Sequence, residues 1–272
     1  MFLPLALASG ESRPDNPVMR YREPAICIRA TDYSETSQVV TFFTRGVGTA
    51  RLLAKGTKRP RSKSGGAIDL LSEGDLVFTT SGREGLGTLI EFSETVSHTP
   101  LRREAARLHA ALYMIELTGE LMPEAAPHVE AFDLLHKGLA RLDEPGSPTA
   151  AVLAYFQWRM LRHAGLLGAL RACATCGASI KPASAREARR VWFSSREGGL
   201  LCPTCEGAAV EKIRLDAETL AGLEALQAAA AGRKVALPDP QAHAVNRLLA
   251  YHVREQLGKV LKLARYAIAQ GR

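Results

Sequence analysis

Two C-x-x-C pairs, Cys173-Ala-Thr-Cys176 and Cys202-Pro-Thr-Cys205, stand twenty-five residues apart in this chain. Each pair can approach a cation from a tight turn, and four thiolates close a tetrahedron around one zinc ion. Such a shell has no open position for water or substrate, so the spacing predicts a structural zinc rather than a catalytic one. A zinc-dependent nucleic-acid deaminase would also need an H-x-E or C-x-E element feeding a P-C-x-x-C pair, and neither Cys173 nor Cys202 follows a proline. A redox dithiol is the remaining alternative. The fifth cysteine, Cys27, sits in the apolar stretch Ala25–Arg29 and reads as a small buried side chain.

The chain has 272 residues and a net charge of +7. From Thr36 to Ile68 it holds seven basic residues, Arg45, Arg51, Lys55, Lys58, Arg59, Arg61 and Lys63, and no acidic one, so this segment alone equals the net charge. A polyanion would feel such a local excess. Gly56 and Pro60 predict that the cations ride on a loop, where lysine offers a point charge to phosphate and arginine a bidentate fork. The bland alternative is solvated surface charge.

No apolar run approaches the roughly 20 residues of a membrane span. The opening Met1–Ser9 resembles a signal peptide only faintly, lacking basic residues and broken by Pro4. Residues 1–20 are expected to be an extra or disordered segment. Paired C-x-x-C without an export signal reads as metal binding in a cytoplasmic protein. No G-x-x-x-x-G-K-[ST] loop or G-x-S-x-G elbow occurs, and the histidines form no triad, which argues against an enzyme.

Residues 21–98 read as β. Ile26, Ile28 and Ala30 alternate with Cys27 and Arg29; Gln38–Thr44 is β-branched and aromatic; Gly46-Val-Gly48 turns the chain back into Thr49–Ala54. Gly74–Thr80 and Leu86–Phe92 follow the basic loop. Five short strands suit a small closed barrel, an OB-fold or an SH3-like one, which periodicity does not separate. Of its aromatics, Tyr33, Phe42, Phe43, Phe78 and Phe92, most are expected in the core, with Tyr33 or the Phe42–Phe43 pair as candidates for stacking bases.

The rest reads as helix, in 99–169 and 209–272, around a zinc module at 170–208. Leu108, Leu112, Ile115 and Met122 mark one helical face; Ser147 is the expected N-cap before Pro148; Val152, Phe156 and Met160 form the next stripe. Asp216 is expected to cap a helix carrying Leu220, Leu223 and Ala230 that ends before Gly232. A last helix from Asp239 should place Leu249, Val253, Leu257, Val260 and Ala264 inward.

Three stretches together, Ile28-Arg-Ala-Thr-Asp-Tyr-Ser-Glu-Thr-Ser37, Val39–Gly48 and Lys55-Gly-Thr-Lys-Arg-Pro-Arg-Ser-Lys63, resemble the opening domain of the bacterial recombination mediator protein O (RecO) family. The order is specific: Y-S-E-T, a strand ending in T-R, a glycine turn, then K-G with basic residues and a serine. The likeness continues through the helical region and the C-x-x-C pairs. It implies a multidomain α+β protein: an N-terminal OB-fold β-barrel followed by a mostly α-helical domain with a four-cysteine zinc-finger insert. It also implies a non-enzymatic, bacterial, nucleoid-associated mediator that binds single- and double-stranded DNA and anneals complementary strands. Such a protein works with RecR, and with the tail of single-strand-binding protein, to load the RecA recombinase. On this chain the DNA contacts would fall on Lys55, Lys58, Arg59, Arg61 and Lys63, with Arg45 and Arg51 outside them. An RNA-binding or ribosome-associated zinc protein is the rival, because OB barrels serve RNA equally well.

Overall fold

A computed structural model of the chain describes residues 19–58, 66–80, 85–122, 126–180 and 191–268. Five strands, β1 (Met19–Asp32), β2 (Gln38–Thr44), β3 (Gly48–Ala54), β4 (Glu73–Thr80) and β5 (Gly87–Val96), close into a barrel in the order β1-β2-β3-β5-β4. A parallel pairing, Leu52 with Gly87 and Leu53 with Thr88, joins β3 to β5. This is an OB-like barrel. The long β1 serves two neighbours, pairing with β4 over Met19–Ile26 and with β2 over Ala25–Asp32. Apart from Met19 and Arg20, which already lie in β1, the expected extra segment is outside the described residues.

Both faces of the β1–β2 hairpin are buried, which is why its sequence is so apolar. Cys27, Val40 and Phe42 fill the barrel, whereas Ile26 and Phe43 point out into the core of the helical region. Phe43 meets Phe132 there at 6.0 Å between ring centroids. The expected shared face of Ile26, Ile28 and Ala30 is therefore corrected. A β-bulge between Cys27 and Arg29 shifts the alternation, so Ile28 packs with the helices and Ala30 with the barrel. Burial pushes the Cys27 thiol up to about 12, so it stays a neutral apolar side chain.

Among the described residues the helices are α1 (Ala105–Leu121), α2 (Val129–Asp143), α3 (Thr149–His163), α4 (Ala217–Ala230), α5 (Asp239–Leu257) and the short α6 (Ala264–Ala267). No helix of the described residues is long and apolar enough to cross a membrane. Helix α1 buries Ala110, Ala111, Tyr113, Met114, Ile115 and Leu117, while Leu108 and Leu112 of the expected stripe are only partly covered. A buried polar chain pins three helices in register: Tyr113 donates to Gln157, Gln157 to Asn246, and Asn246 to the Ala150 carbonyl, at 2.9, 2.7 and 2.9 Å.

Asp216 caps α4 as expected, accepting from the Thr219 N–H at 2.7 Å. Two other expectations fail. Pro148 itself is the N-cap of α3, and the Ser147 hydroxyl is buried without a partner. The last helix stops at Leu257, because Gly258 takes a left-handed φ of 65°. Beyond that stop Val260 is 64% exposed, not inward-facing.

Candidate metal centre and candidate nucleic-acid interface

A three-stranded sheet in the order β7-β6-β8, made of β6 (Trp192–Ser194), β7 (Gly199–Leu201) and β8 (Ile213–Arg214), supports the cysteines. Strand β8 lies past Ala208, so the sheet extends beyond the expected module; its short Ile213–Phe193 pairing has no period to read. In the first knuckle the Gly177 N–H returns to the Cys173 carbonyl at 2.9 Å. In the second, the Cys205 and Glu206 N–H groups return to that of Cys202 at 3.1 and 3.0 Å. The knuckles meet where Ala174 N–H bonds the Leu200 carbonyl at 2.8 Å.

This brings the Sγ atoms of Cys173, Cys176, Cys202 and Cys205 within 4.8 Å of one another, and none is in a disulfide. Cys176 and Cys202 are 3.7 Å apart. Zinc–sulfur bonds of about 2.3 Å at tetrahedral angles place sulfurs about 3.8 Å apart, so the cluster suits such an ion. Burial resists ionisation of Cys173, but N–H groups of Cys202, Cys176 and Thr175 outweigh it and bring that thiol down to about 6. Hydrogen bonds to Cys176 and Cys202 push Cys205 up to about 12, as expected where four thiols share few protons.

The module rests on the helical body. Glu211 ties them, accepting from the Ser195 and Arg196 N–H groups at 2.7 and 3.1 Å and from the Tyr251 hydroxyl of α5. Those bonds hold its carboxyl below the usual range despite its burial.

The basic rim is built from the β1–β2 turn and the segment after β3. The turn is closed by Tyr33 and Ser34 N–H groups on the Ser37 carbonyl, at 3.0 and 3.2 Å. Gln38, the first residue of β2, is buried and holds both ends of the basic excursion. Its Oε1 accepts from the Thr57 hydroxyl at 3.2 Å and from the Ile68 N–H at 2.9 Å, and its Nε2 donates to the Ile68 carbonyl at 3.3 Å. Thr57 and Ile68 are thereby held side by side at the barrel rim.

The expected cations fare differently. Arg51 and Lys55 are exposed on β3 and just after it. Lys58 is bound to Asp32 at 2.6 Å. Arg45 forks onto Asp133 of α2 at 2.9 and 3.2 Å and holds that carboxyl below its usual range, tying barrel to helices. Arg59, Arg61 and Lys63 lie outside the described residues. Of the aromatics, Phe42, Phe43, Phe78 and Phe92 are buried, and Tyr33 is 67% exposed.

A cluster that sequence reasoning missed holds the barrel on the helices. Buried His98 faces Glu73 of β4 at 2.9 Å and Asp143 of α2 at 2.5 Å, and His136 bonds the other Glu73 oxygen at 2.6 Å. Burial opposes a charge on His98, but the two carboxylates outweigh it and raise its pKa. The partners stand 25 and 45 positions away, so no local motif signals them.

The family model for the N-terminal part of recombination protein O matches residues 19–97, and that for its C-terminal part matches 102–265. A DNA repair protein RecO of Anaeromyxobacter sp. (strain K) is 34% identical over 252 residues, covering 91% of this chain and 95% of its own. That of Anaeromyxobacter dehalogenans (strain 2CP-C) is 36% identical over 247 residues, covering 88% and 93%. That of Myxococcus xanthus is 30% identical over 244 residues, covering 89% and 95%.

Proposed function

Because this chain belongs to the recombination protein O family of DNA repair proteins, we propose that it is a DNA-binding recombination mediator. It grips single and double strands by their phosphates, anneals complementary strands, and with RecR helps load RecA. The observation that carries this reading is the acid-free run of cations from Thr36 to Ile68, within which Gln38 holds Thr57 and Ile68 together at the barrel rim. Cations there neutralise two phosphate backbones at once, which lowers strand–strand repulsion and lets pairing proceed without a nucleotide cofactor. It acts as a mediator and not as an enzyme.

Lys55, Arg59, Arg61 and Lys63 supply the main contacts in this reading, with Arg51 on the adjoining strand face. Lys58 and Arg45 contribute less, since each already faces a carboxylate. The four cysteines hold one zinc ion, whose binding energy folds the module around it. The tail of single-strand-binding protein is a further partner in this reading.

A fluorescence annealing assay tests the reading. Reversing Arg51, Lys55, Arg59 and Arg61 to Glu should abolish annealing while leaving the melting temperature near that of the parent. Unchanged annealing would sink it. A stronger grip on structured RNA than on single-stranded DNA would favour an RNA-binding protein instead.

A further inference from the structure

One aromatic ring of the barrel is held where a core residue would not be. Phe42, Phe43, Phe78 and Phe92 are at most 3% exposed, and Tyr21 stacks on Phe78 at 5.1 Å. Tyr33 is 67% exposed. The turn that carries it is closed by its own N–H on the Ser37 carbonyl and anchored by the Lys58 N–H on the Thr36 carbonyl, at 3.0 and 3.3 Å. The ring's backbone is thus fixed against the start of the basic segment.

Beside it opens a cleft of about 310 Å³, lined by Tyr33, Thr36, Ser37, Leu53, Lys55 and Gly56. It brings together an aromatic face, two hydroxyls, an aliphatic side chain and an exposed ammonium. Among the described residues no carboxylate lines it. Of the two acids flanking Tyr33 in sequence, Asp32 is already neutralised by Lys58 at 2.6 Å, and Glu35 is not part of the cleft wall.

We propose that the cleft between Tyr33 and Lys55 seats one unpaired nucleotide, its base stacked on the Tyr33 ring and its phosphate on the Lys55 ammonium. The proposal rests on the DNA-binding reading above and adds a discriminator to it. Phosphate contacts alone are shared by single and double strands, whereas a base inside a duplex is already stacked and cannot reach Tyr33. The rim therefore holds both forms by charge, and the cleft adds affinity for the single strand whatever its letters, since every base has a π-face.

The test compares three ligands of equal phosphate count in fluorescence anisotropy with the full chain: an oligo(dT), an abasic oligomer of the same length, and a duplex. The protein should prefer oligo(dT) to the abasic strand. Tyr33→Ala should weaken oligo(dT) binding roughly 5- to 150-fold, the range one base–aromatic stack carries, and leave the other two unchanged. Tyr33→Phe should keep the preference. In Tyr33→Trp, oligo(dT) should quench fluorescence beyond the change seen in the parent, which already has two tryptophans, and the abasic strand should not. Equal parental affinity for oligo(dT) and the abasic strand would overturn the proposal, as would Tyr33→Ala weakening all three alike or none. Failure of the parent to bind any of the three would overturn the DNA-binding reading itself, a result distinct from those.

Discussion

The four-cysteine module and the barrel rim each gather one kind of chemistry, and they hold it by opposite means. In the module, four thiols lie within 4.8 Å, an arrangement whose charge is tolerable once a cation sits among the sulfurs. The rim exposes Arg51 and Lys55 on β3 and just after it, near where Gln38 holds Thr57 and Ile68 together, and it cancels part of its own field. Lys58 is committed to Asp32 and Arg45 to Asp133. The module is thus a tight site of four thiols suited to one ion. The rim is an open one, in which a cation's value to a ligand depends on whether a carboxylate already holds it.

Removing the metal should have the largest effect. Zinc binding is worth about 10–16 kcal/mol in small zinc-finger peptides. Here the module also packs on the helical core through Phe193, Leu200 and Leu201, so part of the structure survives. Chelation, or Cys202→Ser, is expected to cost several kcal/mol and to lower Tm by on the order of 10 °C. Calorimetry beside a zinc assay of one ion per chain checks this. Oligonucleotide affinity at the barrel should hold until the module melts; a loss in step with metal removal would break the separation of the two regions.

Next in size is the buried cluster that joins barrel to helices. His98→Ala would leave Glu73 and Asp143 facing each other without their shared partner, and breaking a buried pair costs about 3–5 kcal/mol. The pH dependence has a definite sign. The folded pKa of His98 is raised above the unfolded value of about 6.5, so its stabilisation is fully present below that pH and fades as pH rises through the folded pKa. Thermal melts of the parent should show this fall on the alkaline side of 6.5, and His98→Gln should flatten it. A parent whose melting temperature is level across that range would count against the imidazolium.

Much of both regions was legible from local spacing. Strand β2 was readable residue for residue, because Val39, Val40, Thr41, Phe42 and Phe43 favour extended backbone whichever face is covered. The cysteine cluster was equally plain, since each knuckle is a local turn. What escaped depended on partners far along the chain. Phe43 belongs to the helical core and not to the barrel, because Phe132 meets it. Arg45 looked like one more cation of the run until Asp133, 88 positions on, came beside it. The bulge after Cys27 and the stop at Gly258 are backbone events that an apolar period passes over.

Salt dependence sharpens the comparison within the rim. Each cation that meets a phosphate of a single strand should contribute about 0.7 to the slope of log affinity against log salt. Lys55→Ala and Arg51→Ala are each expected to lower that slope by about that much, with the melting temperature unchanged. Titrations of an oligonucleotide between low and moderate salt read it directly, and an unaltered slope in both variants would place the strand elsewhere.

The smallest effect separates a cation that holds the protein together from one that holds a ligand. Arg45 and Asp133 both remain exposed, so solvent screens their pair and it adds little stability. Arg45→Ala should therefore lower the melting temperature by a few degrees at most. Its guanidinium is already forked onto a carboxylate, so the variant should leave the salt slope where it was. Asp133→Asn makes the complementary case. It frees Arg45 without removing it, and should cost similar stability while steepening the slope by up to about 0.7 if the freed cation reaches a phosphate. A fall in slope on Arg45→Ala as large as that on Lys55→Ala would show that Arg45 exchanges Asp133 for the strand, and the division between committed and available cations would fail at that residue.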